Sequence, residues 1–192
     1  MGVNMARRKT LSDEAVLEAA LAIVQAQGPE ALTFESLSRA CGLSGSTLVQ
    51  RFGSKAALKQ AALLQAWDGL DARTEALASA VPRTPAGAIA LLVGLSDYGE
   101  IEAYAEGLLV LREDLRDPLL RARGARWKKQ LAEAIEACFA DTPQAPKDIG
   151  LLMASQWQGS LLWWSFDPEG DVAEYVRHGL VRLVAVLLAK DA

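Results

Sequence analysis

Seven prolines punctuate this chain of 192 residues, and each stands where a helix can begin or stop. Pro29, Pro82, Pro85, Pro118, Pro143, Pro146 and Pro168 separate long segments rich in alanine and leucine. A proline inside a helix removes a hydrogen bond and clashes with the preceding turn, so this placement reads as a set of boundaries. The alternating patterns of strands and the Asn-Gly signals of hairpins are both missing from the sequence. The chain is therefore expected to be all-α, with about nine helices.

Local chemistry marks several starts. Ser12 can cap a first helix, with Asp13 and Glu14 favourable to its positive end. Asp117-Pro118 pairs a cap with proline at the first helical position. Further helices are expected after Thr33, near Ser44 to Ser46, after Ser54 to about Ala80, after Pro85, within Asp97 to Arg112, after Pro146 and after Asp171. The uncharged run from Ile149 to Phe166 contains three serines, two glutamines and two glycines, so a buried helix is expected there rather than a membrane span.

Charge is distributed unevenly. Residues 1–60 carry seven Lys or Arg against five Asp or Glu, and the remainder thirteen against nineteen. A mildly basic head, including the arm Arg7-Arg8-Lys9, on an acidic body suits nucleic-acid binding by the head alone. Cys41 and Cys138 lie in separate apolar helical patterns and read as buried free thiols of a reducing compartment. With no signal peptide in view, a cytoplasmic location is expected.

The informative stretch is TFESLSRACGLSGSTLVQRFGSK, Thr33 to Lys55. Phe34, Leu37 and Ala40-Cys41 line one face of a short helix, Gly42 permits a sharp turn, and Leu43 can plug the gap before a second short helix. That second helix turns Leu48 and Phe52 inward and leaves Ser44, Gly45, Ser46, Thr47, Val49, Gln50 and Arg51 outward. Two short helices, a glycine turn and a small polar face make a helix-turn-helix. Small residues let a helix sink into the major groove, Gln50 can read adenine, and Arg51 can meet guanine or a phosphate. Val49 can touch a thymine methyl, while Thr33, the hydroxyls of Ser44, Ser46 and Thr47, and Lys55 suit phosphate oxygens.

This stretch, with the helix before it, resembles the TetR family of bacterial regulators over about residues 12–60. The resemblance rests on the ACGLS turn, Thr47-Leu48, Phe52 and the GSKAAL opening of the next helix, Gly53 to Leu58. It implies an N-terminal arm and DNA-binding domain over residues 1–53, and a helical ligand-sensing and dimerisation domain over 54–192. It further implies a cytoplasmic, nucleoid-associated homodimer bound to a palindromic operator, usually a repressor released by a small molecule. The sequence departs from the family at Val49, where a tyrosine usually contacts the DNA backbone, and at Gly45-Ser46, where a basic residue and a glycine are more usual.

In the body, the eighth and ninth helices are the expected dimer surface, because the eighth is apolar nearly all round and must be buried on most sides. Leu151, Gly159, Leu162, Trp163, Val176, Gly179 and Leu183 are the candidate interface residues, as part of a four-helix contact. Trp67, Tyr98, Tyr104, Trp127 and Trp157 are candidate ligand-binding residues, set against ordinary core packing. The single histidine, His178, leaves little room for a hydrolytic triad, GLSGS is not a nucleophile elbow, and no metal cluster is visible. No catalytic residue, metal or cofactor is therefore expected. The alternative to a regulator is a helical interaction module without DNA-binding activity.

Overall fold

A computed structural model describes residues 11–96 and 101–189 of the chain. Among the described residues there are nine α-helices and no strand. They are α1 (Asp13–Gln27), α2 (Phe34–Cys41), α3 (Gly45–Phe52), α4 (Lys55–Ala80), α5 (Pro85–Gly94), α6 (Ile101–Arg116), α7 (Pro118–Glu136), α8 (Ile149–Trp164) and α9 (Val172–Leu187). Short 3-10 turns follow α1 at Pro29–Ala31 and α7 at Ala137–Phe139.

Side-chain caps start most of these helices. Ser12, Thr33, Ser44, Thr84, Asp117 and Asp171 each accept a hydrogen bond from a backbone amide of the first turn they precede. α6 runs to Arg116, past the Arg112 that the sequence suggests, because its stop is the Asp117-Pro118 start of α7. No described helix is long and apolar enough to cross a membrane.

The chain divides into two compact units, ending and beginning at Ala66 and Trp67, within α4. The N-terminal unit encloses Val16, Ala20, Ile23 and Val24 of α1, Leu32, Leu37, Leu48, and Leu58, Ala62 and Leu63 of α4. These α4 residues belong to the same core as the helix-turn-helix, which is why the division falls beyond the start of α4. The C-terminal unit has its own core, centred on Leu91, Leu92, Leu131, Ile135, Met153, Trp157, Leu161 and Leu180. Cys138 is buried and Cys41 only half-buried; both are free thiols.

Candidate nucleic-acid interface

The N-terminal unit displays α3. Thr33 Oγ1 accepts from the Ser36 amide at 3.0 Å, and Ser36 Oγ accepts from the Thr33 amide at 2.9 Å, a reciprocal cap that fixes the start of α2. α2 stops at Gly42, whose φ of 74° is a left-handed turn that a side chain would strain. Ser38 Oγ donates to the Leu43 carbonyl oxygen at 2.6 Å and closes that turn. Ser44 then caps α3 through the Thr47 amide.

Leu37 and Leu48 are fully buried, so α2 and α3 each give one side to the core. That orientation leaves Ser44, Ser46, Val49 and Gln50 exposed, with Gly45 and Thr47 half-buried beside them. A Cβ added at Gly45 would meet nothing within 4 Å, so no internal packing requires glycine there. Ser44 Oγ lies 2.9 Å from Ser46 Oγ and 2.8 Å from Thr47 Oγ1. Three hydroxyls thus gather at the positive end of α3, a setting that favours an anion.

Two of the expected cations are engaged within the unit. Arg51 Nη1 donates to the Leu11 carbonyl oxygen at 2.8 Å and lies 3.3 Å from Asp13 Oδ1, with its side chain 22% exposed. Lys55 Nζ donates to the Glu30 carbonyl oxygen at 3.2 Å and pairs with the Glu30 carboxylate at 3.4 Å. Thr33 spends its hydroxyl on the α2 cap. Arg7, Arg8 and Lys9 lie outside the described residues.

Residues 16–62 match the model of the bacterial regulatory proteins of the tetR family. Over that stretch the chain is similar to the N-terminal domain of the tetR family. Its fold as a whole is that of TetR-family transcriptional regulators. The TetR-family regulator PfmR from Thermus thermophilus superposes with a TM-score of 0.62 at 20% identity, covering 92% of this chain and 99% of that one. A proposed transcriptional regulator from Saccharomonospora viridis, in complex with choline, gives 0.70 at 17% identity over 88% and 93% of the two chains. AibR, in complex with isovaleryl coenzyme A and operator DNA, gives 0.62 at 20% identity over 88% and 95%. Among curated proteins none matches the sequence.

In the C-terminal unit of this TetR-like fold, four of the five candidate ligand aromatics come together. Trp67 and Trp127 have ring centroids 5.8 Å apart, and Trp127 and Trp157 6.3 Å, both pairs tilted. Tyr104 is buried in the same core, and Tyr98 lies outside the described residues. Each of these three indole N–H groups has a protein acceptor: Trp67 donates to Asp114 at 3.2 Å, Trp127 to Thr74 at 3.0 Å and Trp157 to Ser96 at 2.8 Å. These acceptors, with the buried Arg123 that binds Asp68 and Asp71, escaped sequence reasoning. Asp114 stands among other charges in Arg-Glu-Asp-Leu-Arg-Asp, and nothing local distinguishes it from a solvated side chain.

Burial pushes the Asp114 carboxyl above its ordinary 3.8; the Trp67 hydrogen bond opposes this, and repulsion from Asp117 and Glu113 adds to it. The native state therefore holds this proton to higher pH than the unfolded chain does. Its contribution is most favourable below the unfolded value and is lost as pH rises through the raised native one. Asp114→Asn keeps an acceptor for Trp67 without the charge. It is expected to raise Tm near neutral pH, and less so in acid, in paired thermal melts; a lower Tm at neutral pH would mean the charge itself is favourable.

The candidate dimer residues separate by exposure. Leu151, Leu162 and Trp163 are exposed, the last by 67%, and Gly159 and Leu183 are half-buried. Val176 offers no surface, because it points into the core of its own subunit. A Cβ at Gly179 would meet Ser160 Oγ at 3.1 Å, so this glycine serves the approach of α8 and α9 within one subunit. Phe166, Val181 and Val186 are exposed apolar surface that the sequence does not single out.

Proposed function

We propose that the chain is a homodimeric transcriptional repressor of the bacterial cytoplasm, acting at the nucleoid, that leaves a palindromic operator when a small molecule binds its helical body. The observation that carries this reading is α3: Leu48 anchors it from behind, and Ser46, Thr47, Val49 and Gln50 are presented in front. Residues 1–53 would read DNA and residues 54–192 would sense ligand and dimerise.

In this reading Gln50 and Val49 meet base edges, the hydroxyls of Ser44, Ser46 and Thr47 meet phosphates, and Gly45 lets the backbone approach. Lys55, once released from Glu30, flanks that surface and adds to the phosphate contact, while Thr33 serves it by fixing the start of α2. The exposed Leu151, Leu162 and Trp163 supply an apolar surface for a second copy, the arrangement a two-fold operator needs. Trp67, Tyr104, Trp127 and Trp157 form the aromatic wall of the effector site, and binding there would favour a spacing of the two heads that misfits the operator. The complexes of the S. viridis regulator with choline and of AibR with isovaleryl coenzyme A support a small-molecule ligand for this fold.

Selection of bound duplex from a random library, using the purified protein, tests the reading. A recovered palindrome supports it, and failure to retain any duplex in dilute buffer sinks it. On the recovered site, Gln50→Ala is expected to cost about 1–3 kcal/mol and to relax preference at one position of each half-site. An unchanged preference would remove Gln50 from base reading.

A further inference from the structure

We propose that the effector is an organic cation, held by the Asp114 carboxylate and the ring faces of Trp67 and Trp127. The inference rests on the ligand-sensing reading above and names the chemical class that the reading leaves open. Trp67 and Trp127 have ring centroids 5.8 Å apart, and Trp157 continues the cluster at 6.3 Å from Trp127. Each of the three spends its indole N–H inside the protein, on Asp114, Thr74 and Ser96 respectively. What these rings have left to offer a ligand is their faces, the negative part of the indole quadrupole. Such a surface attracts a cation and gives an anion no donor to bind. Trp67 is only half-buried, so part of the cluster can be reached from outside.

The charge beside these rings has the matching sign. Asp114 of α6 is only 8% exposed, and its carboxylate accepts a hydrogen bond from the neutral Trp67 indole at 3.2 Å. Among the described residues no cation pairs with it, while Glu113 and Asp117 repel its charge. Glu106, eight residues earlier on the same helix, keeps one carboxylate oxygen out of water with no hydrogen-bond partner. A carboxylate desolvated without a counter-ion is costly, and an incoming ammonium supplies the missing charge. An anion would find the opposite setting. Arg123, the one buried cation among the described residues, is already taken by Asp68 and Asp71.

Calorimetric titration of the purified full chain, without DNA and at neutral pH, tests this with three probes that share one benzyl group. Benzyltrimethylammonium carries a permanent positive charge, N-benzylacetamide is neutral and phenylacetate is an anion. The cation is expected to bind at least about tenfold more tightly than either of the others. Asp114→Asn keeps an acceptor for Trp67 and removes the charge. It is expected to weaken the cation by about tenfold or more and to leave N-benzylacetamide unchanged. Glu133→Gln removes the same charge from an exposed position on α7 and is expected to leave all three affinities unchanged. The proposal is overturned if the neutral or anionic probe binds as well as the cation, or if the cation fails to bind at millimolar concentration. An unchanged cation affinity in Asp114→Asn, or an equal loss in Glu133→Gln, overturns it too. Should Asp114→Asn not fold, the ranking of the three probes on the wild-type chain still decides. Recovery of a duplex by selection judges the regulator reading separately. A protein that retains a palindrome yet prefers the neutral or anionic probe keeps that reading and loses the cation.

Discussion

Replacing Arg123 with alanine is expected to destabilise the C-terminal unit by about 3–5 kcal/mol, the usual penalty for stranding one half of a buried ion pair. Arg123 lies on α7 with its side chain only 7% exposed, and its guanidinium meets Asp68 at 3.0 Å and, more closely, Asp71. Asp71 is itself only 26% exposed, and its other cation, Arg126, stands 4.0 Å away with most of its surface in solvent. Removing Arg123 therefore leaves Asp71 partly desolvated with one weak, screened partner. A loss of this size is a large fraction of the roughly 5–15 kcal/mol that holds a domain together. Arg126→Ala is the control: an exposed pair contributes about 0–1 kcal/mol. Urea melts of both variants, followed by circular dichroism, give the comparison. If the two lie within error of each other, the α4–α7 ion pair is not a determinant of stability.

What the sequence revealed follows from the range of the interaction concerned. Ser12, Thr33, Ser44, Asp117 and Asp171 were readable as caps because a cap bonds to an amide two or three residues onward. Gly42 was readable as a turn for the same reason: its left-handed φ is a property of one residue. The inward face of α3 followed from periodicity, and Leu48 is fully buried.

Long-range choices were not readable. Arg51 looks like any outward cation until Leu11 and Asp13 arrive from forty residues away. The indole partners Thr74, Ser96 and Asp114 lie 53, 61 and 47 residues from Trp127, Trp157 and Trp67. Periodicity identifies Val176 as apolar, but whether an apolar face meets its own subunit or a partner depends on the neighbouring helices. Trp163 and Phe166 illustrate the converse, a tilted ring pair with centroids 5.9 Å apart that remains mostly in solvent.

Leu48→Ala is expected to cost about 2–5 kcal/mol, because the side chain is fully buried and its loss leaves a cavity where α3 meets the core. The N-terminal unit is small, and its core has few large side chains to collapse into the space. Duplex binding should fall steeply, since α3 must be held firmly to present Gln50 and the hydroxyls at its start. The C-terminal unit has a separate core, so it should retain its helices and its oligomeric state. This sets Leu48→Ala against Gln50→Ala, two residues away on the opposite face of the same short helix. The first variant should lose stability and, through it, binding to every duplex. The second should melt like the wild type and lose only discrimination among duplexes. Melting curves and binding to both the selected and a scrambled duplex separate the two patterns. If Leu48→Ala melted normally yet altered preference, or Gln50→Ala unfolded the head, α3 would be turned the other way and the regulator reading would lose its support.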